Sequence, residues 1–168
     1  MKPPLLFLDV DGPLIPFGGS VREYRISAAV ELSNPLLARV NPALGPRLLA
    51  LGCQLTWATT WMEEANECIS PLLGLPALPV VTWPDFPEDD NDARIGLHWK
   101  TRRIVDQAAE LSFVWIDDET TDIDRTWVAT HHPGPALLHT VASGVGLTTD
   151  DIDIIATWLR AWLPDGGE

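Results

Sequence analysis

Basic residues are scarce in this chain. Eleven Lys and Arg stand against 24 Asp and Glu, so the formal net charge at pH 7 is -13. A surface with this excess of negative charge repels polyanions, which argues against a nucleic-acid partner and against binding to an anionic membrane. A ligand that carries phosphate must therefore be attracted by a local site.

Cysteine is nearly absent, and long apolar runs are absent. Cys53 and Cys68 have neither the spacing of a metal site nor the number that a disulfide framework needs, which favours a reducing, cytoplasmic location. The apolar stretch before Asp9 is too short for a secretory signal, and no segment approaches the length of about 18 apolar residues that spans a membrane. We expect a cytoplasmic protein without a membrane segment.

The chain does have enough apolar residues for one core. Hydrophobic residues make up 46% of its 168 residues and include eight Trp. This length is typical of a single domain, which we predict over residues 1–168. The number of tryptophans leaves open a homo-oligomer whose interface closes the functional site.

Short apolar stretches alternate with amphipathic patterns along the chain. Strands are predicted over residues 5–10, 53–58, 78–82, 113–116 and 127–130. Helices are predicted over residues 42–51, 61–73, 101–111 and about 150–163. This alternation predicts an α/β fold in which helices cover both faces of a mostly parallel sheet of about five strands.

The first predicted strand ends in two carboxylates one residue apart, Asp9 and Asp11. Residues i and i+2 of a strand point to the same face, and two acids that close repel each other unless a cation or a shared proton offsets their charge. Open parallel sheets bind ligands at the carboxyl ends of their strands. The pair therefore predicts a metal site at this edge of the sheet.

Other polar residues also fall at strand ends or helix starts. Thr59 and Thr60 follow the second strand, where the next helix offers free backbone N–H groups to an anion. Lys100 comes directly before a predicted helix, and Asp117 and Asp118 end a later strand. In a parallel sheet these groups meet at the same edge as the first acidic pair.

Residues 13–40 interrupt the alternation of strands and helices. Their prolines and glycines predict an irregular or hairpin segment, a small flap beside the acidic pair. Arg22 and Arg25 in this segment are candidates for binding a substrate anion. The acidic run over residues 85–92 is interpreted as a solvated loop, because it lacks the glycine and terminal glutamate of a calcium loop.

Four motifs in this order resemble those of the haloacid dehalogenase (HAD) superfamily of phosphatases. They are Asp9-Val10-Asp11-Gly12, Thr59, Lys100 and Asp117-Asp118. The resemblance covers most of the chain and implies a three-layer, Rossmann-like fold and hydrolysis of a phosphate monoester. It also implies that Asp9 is the nucleophile, which forms an aspartyl-phosphate, and that Asp11 is the general acid and base.

Mg²⁺ is the cofactor that this resemblance implies. Its ligands would be Asp9, the backbone carbonyl of Asp11, and Asp117. Asp118 would ligate the metal directly or through water, or would orient Lys100. The phosphoryl oxygens would be bound near the nucleophile by Thr59, Thr60, Lys100 and Gly12.

The spacing of the motifs leaves little room for a cap domain. About 47 residues separate Asp11 from Thr59, and about 40 separate Thr59 from Lys100. The first interval must also supply a helix, and the second a helix and a strand. The resemblance therefore implies a capless or minimally capped phosphatase with an open site, which acts on a phosphorylated small molecule or a phosphoprotein.

Two other functions stay open on the sequence. A phospho-accepting receiver module also combines strand-end carboxylates, Mg²⁺, Thr and Lys, but in receivers the Lys comes last, whereas here Lys100 precedes Asp117. A domain of the same fold that has lost its catalytic activity would serve in binding or assembly, although every expected catalytic position is occupied. The order of the motifs favours the hydrolase.

Overall fold

One parallel sheet forms the centre of the molecule. The computed structural model describes residues 2–20, 22–24, 34–85 and 89–162. Its strands are β1 (Leu5–Leu8), β2 (Gln54–Trp57), β3 (Phe113–Asp117) and β4 (Ala136–Thr140). Their order is β2-β1-β3-β4, and every neighbouring pair is parallel. The predicted mostly parallel sheet is confirmed, with four strands in the described residues instead of about five.

The two inner strands, β1 and β3, are buried along their whole length. Because successive side chains of a strand point to opposite faces, these strands supply two separate cores. Leu6, Leu8, Val114 and Ile116 belong to one core cluster, and Leu5, Phe7, Phe113 and Trp115 belong to the other. Both faces of the sheet must therefore be covered.

Helices cover both faces. They are α1 (Leu44–Leu49), α2 (Ser70–Leu73), α3 (Asp92–Ile95), α4 (Thr101–Ala108), α5 (Asp122–His131) and α6 (Thr149–Trp162). Buried residues of α1, α2 and α6 join the first core cluster, and those of α4 and α5 join the second. The three-layer α/β architecture is confirmed, and the described ranges contain no large cap domain. None of the helices in these ranges is long and apolar enough to cross a membrane.

The strand predicted over residues 127–130 is wrong, because these residues lie in α5. Thr121 starts this helix with a capping box: its hydroxyl accepts from the Ile123 N–H, and the Asp124 carboxylate accepts from the Thr121 N–H. A short apolar run alone does not distinguish a buried helix segment from a strand, and here the cap decides for a helix. The fourth strand instead follows a Pro-Gly-Pro turn, at Ala136.

The strand predicted over residues 78–82 is an extended segment beside β2. Trp57 donates its N–H to the Pro79 carbonyl and accepts from the Val81 N–H, at 2.9 Å each. Only one bridge forms, between Trp57 and Val80. Pro79 has no N–H to donate, which limits its pairing within a sheet. The predicted helix over 61–73 also begins late, with a π-helical turn at Ala65–Ile69 that continues into α2.

The segment 13–40 is in part a packed loop. Leu14 and Ile15 are buried, and Ile15 forms a bridge with Asp11. A 3₁₀ helix occupies Pro35–Arg39. Residue 21 and residues 25–33, which form the middle of the predicted flap, lie outside the described residues. The described beginning of this segment is therefore packed in the core and contacts the strand-end residue Asp11.

Candidate active site

One buried ammonium group joins the ends of three neighbouring strands. Lys100 Nζ lies 3.1 Å from Asp9 Oδ1 and 2.9 Å from Asp117 Oδ2. It also donates to the Ala58 carbonyl, which follows β2, at 2.9 Å. The side chains of Lys100, Asp9 and Asp117 are at most 10% exposed. The structure thus brings together three of the residues that the sequence placed at one edge of the sheet.

The residues around Lys100 hold its backbone and its side chain in place. The Lys100 N–H donates to His98 Nδ1 at 3.1 Å, so the ring proton of His98 is on Nε2, which lies 3.1 Å from Glu119 Oε2. The ring centroids of Trp99 and Trp83 lie 5.5 and 5.9 Å from Lys100 Nζ. Cations are attracted to aromatic faces at such distances. No sequence pattern pointed to these three aromatic neighbours.

Asp9 and Asp118 have pKa values above that of an ordinary aspartate. Burial raises the pKa of Asp9 to about 7; the Lys100 charge opposes this shift, and the Asp117 charge adds to it. Burial and the Asp117 charge raise the pKa of Asp118 to about 6. Burial alone would lower the pKa of Lys100, but Asp9 and Asp117 raise it above its ordinary value. The cluster therefore has more negative charge than its single ammonium can neutralise.

A divalent cation fits this excess of charge. Asp9, Asp117 and Asp118 each offer a carboxylate oxygen, and these atoms lie within 4.8 Å of one another. Oxygen ligands of this kind suit hard cations such as Mg²⁺. Gly12 allows the approach of Asp118, since its φ is +98° and a Cβ there would collide with the Asp118 carboxylate.

A second group of possible ligands is already engaged. His98, Asp117 and Glu119 also place ligand atoms within 4.8 Å of one another. However, His98 uses one ring nitrogen for the Lys100 N–H and the other for Glu119. A metal on either ring nitrogen would displace the contact made there, and Glu119 is exposed, so the three aspartates are the better candidate site.

Asp11 is exposed and contacts a tryptophan. Trp61 Nε1 donates to Asp11 Oδ2 at 3.1 Å, and the Trp61 N–H donates to Thr59 Oγ1 at 3.1 Å. The next residue, Met62, has a φ of 52°, which is uncommon for a side chain with a Cβ. The turn after β2 thus directs an indole donor at the predicted general acid and base. The sequence placed Trp61 in a helix, and only its position two residues after Thr59 hinted at a place in the site.

We expect Trp61→Phe to lower kcat for phosphate-ester hydrolysis several-fold, with a smaller change in KM. The variant keeps an aromatic ring but removes the donor that orients the Asp11 carboxylate. A hydrogen bond to a charged group contributes about 1.5–3 kcal/mol, and water reduces this contribution at an exposed contact such as this one, so we expect a several-fold effect. Trp162→Phe is the matched control, because Trp162 lies on α6 and is exposed. Equal kcat in the wild type and Trp61→Phe would show that this contact does not position Asp11.

The residues around Asp9 enclose a small cavity. Its volume is about 190 Å³, and it is lined by Asp9, Asp11, Phe17, Thr60, Trp99, Lys100, Asp118 and Glu119. Four carboxylates thus face one ammonium. A phosphate dianion would be repelled from this cavity unless a bound cation offset the charge.

The remaining predicted site residues differ in their exposure and in the cavity that they line. Thr59 is fully buried, whereas Thr60 is exposed and lines the cavity. Arg22 is exposed, lies 5.3 Å from the Tyr24 ring and lines a cavity whose described lining does not include Asp9. Arg25 lies outside the described residues. Substrate contacts of these two arginines stay predictions.

Comparison with known proteins identifies the family of this chain. A family model described as the HAD domain in Swiss Army Knife RNA repair proteins matches residues 5–152. This range contains all four motifs and confirms the resemblance to the HAD superfamily. No curated protein and no solved structure matches the chain. With most of its length matched, the chain belongs to the family of HAD domains found in Swiss Army Knife RNA repair proteins.

Proposed function

We propose that this HAD domain is a Mg²⁺-dependent phosphatase that hydrolyses a phosphate monoester through an aspartyl-phosphate on Asp9. The observation that carries the proposal is the buried contact of Lys100 with both Asp9 and Asp117 beside a cavity lined by carboxylates. Family membership supports a hydrolase of this general type. Phosphoryl transfer depends mainly on positioning and charge neutralisation, and this cluster can supply both.

Asp9 would attack phosphorus with Oδ2. Its other oxygen, Oδ1, accepts from the Val10 N–H at 2.8 Å and lies 3.1 Å from Lys100 Nζ. These contacts fix the plane of the carboxylate and spread its charge away from the attacking atom. Attack forms a bond between Oδ2 and phosphorus and breaks the bond between phosphorus and the leaving oxygen.

Asp11 would handle the protons of both steps. In its protonated form it donates to the leaving oxygen, and as a carboxylate it then accepts a proton from the water that attacks the phosphorus of the aspartyl-phosphate. Hydrolysis releases inorganic phosphate and restores the Asp9 carboxylate. The Trp61 indole holds the Asp11 side chain at the cavity wall for these two transfers.

Asp9, Asp117 and Asp118 would hold the Mg²⁺. When bound, the cation neutralises the charge of the phosphoryl oxygens and of the crowded carboxylates. Lys100 keeps Asp9 and Asp117 in place and, with Thr59 and Thr60, would contribute donors to the phosphoryl oxygens.

A phosphorylated nucleotide or nucleic-acid end is the substrate class that the family description favours, because the family is described from RNA repair proteins. A net charge of -13 opposes a broad surface for a polyanion, but a single terminal phosphate needs only the local site. A phosphorylated small metabolite and a phosphoprotein stay alternatives. A cytoplasmic location and a homo-oligomer also stay predictions.

Phosphate release from p-nitrophenyl phosphate tests the proposed function. We expect turnover with Mg²⁺, its loss with EDTA, and its recovery when Mg²⁺ is restored, because the cavity carries too much negative charge to bind a phosphate dianion alone. Activity that survives complete removal of divalent cations would contradict the proposal.

The same metal should stabilise the fold more strongly at pH 8 than at pH 5. The pKa of Asp9 is raised from 3.8 to about 7 in the folded protein, so the folded form binds its proton more tightly than the unfolded form. Asp9 therefore lowers the stability of the metal-free protein progressively between about pH 4 and pH 7. Mg²⁺ offsets this loss only at pH values at which the Asp9 carboxylate is ionised. The difference in unfolding temperature with and without Mg²⁺, at pH 5 and at pH 8, measures this stabilisation. Asp9→Asn should show a smaller pH dependence of the Mg²⁺ effect.

A further inference from the structure

A large aromatic ring lies exposed at the catalytic cavity. Trp99 is 52% exposed and lines this cavity together with Lys100. Its ring centroid lies 5.5 Å from Lys100 Nζ, so the ring borders the volume in which a phosphate would lie. A flat group attached to that phosphate would meet the Trp99 ring first.

Trp99 is held in one orientation by other rings. Trp83 packs against it edge to face at a centroid distance of 4.9 Å, and His98 is stacked on it at 5.7 Å. Both supports are themselves fixed, since Trp83 Nε1 donates to the Thr59 carbonyl and His98 contacts Glu119. A ring that is already immobilised loses little conformational entropy when a ligand packs on it.

A second cavity begins at the same ring. Its volume is about 420 Å³, and Trp99 is the lining residue that it shares with the catalytic cavity. Pro84, Ala93 and Leu97 give it apolar walls, and the other described residues that line it are Asp85, Asp89, Asp90, Asp92, Arg102 and Arg103. Arg102 contacts Asp92 at 2.6 Å and Asp89 at 3.3 Å. Arg103 donates to the Thr82 carbonyl and hydroxyl. With four carboxylates and two guanidinium groups among its described lining residues, the cavity offers apolar surface and hydrogen-bond acceptors but little net attraction for a second phosphate.

We propose that Trp99 and this second cavity form a subsite for the nucleobase of a nucleotide whose phosphate lies at Asp9. The inference rests on the proposed function. A nucleobase is flat and carries N–H donors, so it matches an aromatic ring beside apolar and carboxylate walls. Stacking on an aromatic side chain is tolerant of base identity. The acidic walls restrict recognition to one nucleotide, either free or at the end of a strand.

Pairs of substrates with and without a base test the subsite. We compare kcat/KM for adenosine 5′-monophosphate with that for ribose 5-phosphate, and for short oligonucleotides with a normal or an abasic terminal nucleotide, each phosphorylated at its 5′ or its 3′ end. The wild type should prefer the base-bearing member of a pair by about ten-fold or more. A higher kcat/KM for the oligonucleotide than for the mononucleotide would identify the end of a strand as the substrate. A higher kcat/KM for the mononucleotide would identify a free nucleotide as the substrate.

Substitutions at Trp99 connect this preference to the ring. Trp99→Leu should reduce the preference to near unity, and Trp99→Phe should retain part of it. Trp162→Leu, a change at an exposed tryptophan on α6, should leave it intact. Equal kcat/KM for both members of every pair in the wild type, or an undiminished preference in Trp99→Leu, would overturn the subsite.

Failure of the proposed function would give a different result. In that case the wild type hydrolyses neither these esters nor p-nitrophenyl phosphate. Titration calorimetry with adenosine 5′-monophosphate and ribose 5-phosphate in the presence of Mg²⁺ then measures the subsite by itself. Tighter binding of the nucleotide that is lost in Trp99→Leu would uphold the subsite, and equal binding of both compounds would overturn it.

Discussion

Asp9→Asn should lower phosphatase activity by on the order of a thousand-fold or more, because an amide oxygen is a poor nucleophile towards phosphorus. The amide also weakens the set of three carboxylates that would hold the cation. Turnover of p-nitrophenyl phosphate at saturating Mg²⁺ measures the loss. Asp106→Asn, which changes an exposed acid on α4, is the control and should retain full activity.

The fold should survive this substitution. Asp9 is 7% exposed, and its raised pKa means that its negative charge is unfavourable in the metal-free protein. Removal of that charge should therefore raise the thermal unfolding temperature at pH 8 in the absence of Mg²⁺. A variant that is folded and inactive supports a chemical role for Asp9. Activity within ten-fold of the wild type would exclude Asp9 as the nucleophile.

Lys100→Met should lower activity by about a hundred-fold or more, which is the usual effect of removing one charged donor from a site that stabilises developing negative charge. The variant has a side chain of similar length, but it leaves Asp9 and Asp117 without their shared ammonium. Breaking a buried ion pair in this way destabilises proteins by about 3–5 kcal/mol, so the unfolding temperature should fall at pH 8.

Added Mg²⁺ separates the two effects of Lys100→Met. The cation should restore part of the lost stability, because it offsets the charge of the same carboxylates, but it should not restore turnover. Arg160→Met is the matched control, since Arg160 is exposed on α6. A Lys100→Met protein with the activity and the unfolding temperature of the wild type would show that the buried ammonium is dispensable.

The strand-end residues could be predicted because each interrupts an apolar stretch with a charge. Asp9 and Asp117 follow runs that are too apolar for a surface, and a buried strand can place such side chains only at its end. The parallel sheet then brings them together. Lys100 was found by its position at the start of a helix, and its contact with both acids is the geometric result of that placement.

The outer strand β4 was harder to predict. β4 has only three apolar residues before His139 and Thr140, and the Pro-Gly-Pro segment before it suggests a loop. Residues 127–130 have a stronger apolar pattern, but the capping box at Thr121 places them in a helix. The capping hydrogen bonds at Thr121 thus override the apolar pattern of residues 127–130, whereas β4 forms through its parallel pairing with β3.

The tryptophans of the site could not be distinguished from core residues by sequence. Trp61 donates to Asp11 from a turn in which Met62 has a left-handed backbone, and no residue pattern predicts that turn. Trp99 packs against Trp83 and the neighbouring His98 at the cavity, and the contact with Trp83 joins separate parts of the chain. The one sequence feature that could have placed Trp99 near the site is its position directly before Lys100.

Mass spectrometry of a trapped intermediate tests the role of Asp9 most directly. Asp11→Asn should slow hydrolysis of the aspartyl-phosphate, so a sample mixed with substrate and Mg²⁺ and then quenched in acid should accumulate it. We predict the added mass of one phosphoryl group on the peptide that contains Asp9, and its absence in the Asp9→Asn, Asp11→Asn double variant. Phosphate on another residue, or substrate turnover by Asp11→Asn with no phosphorylated peptide, would contradict the proposed mechanism.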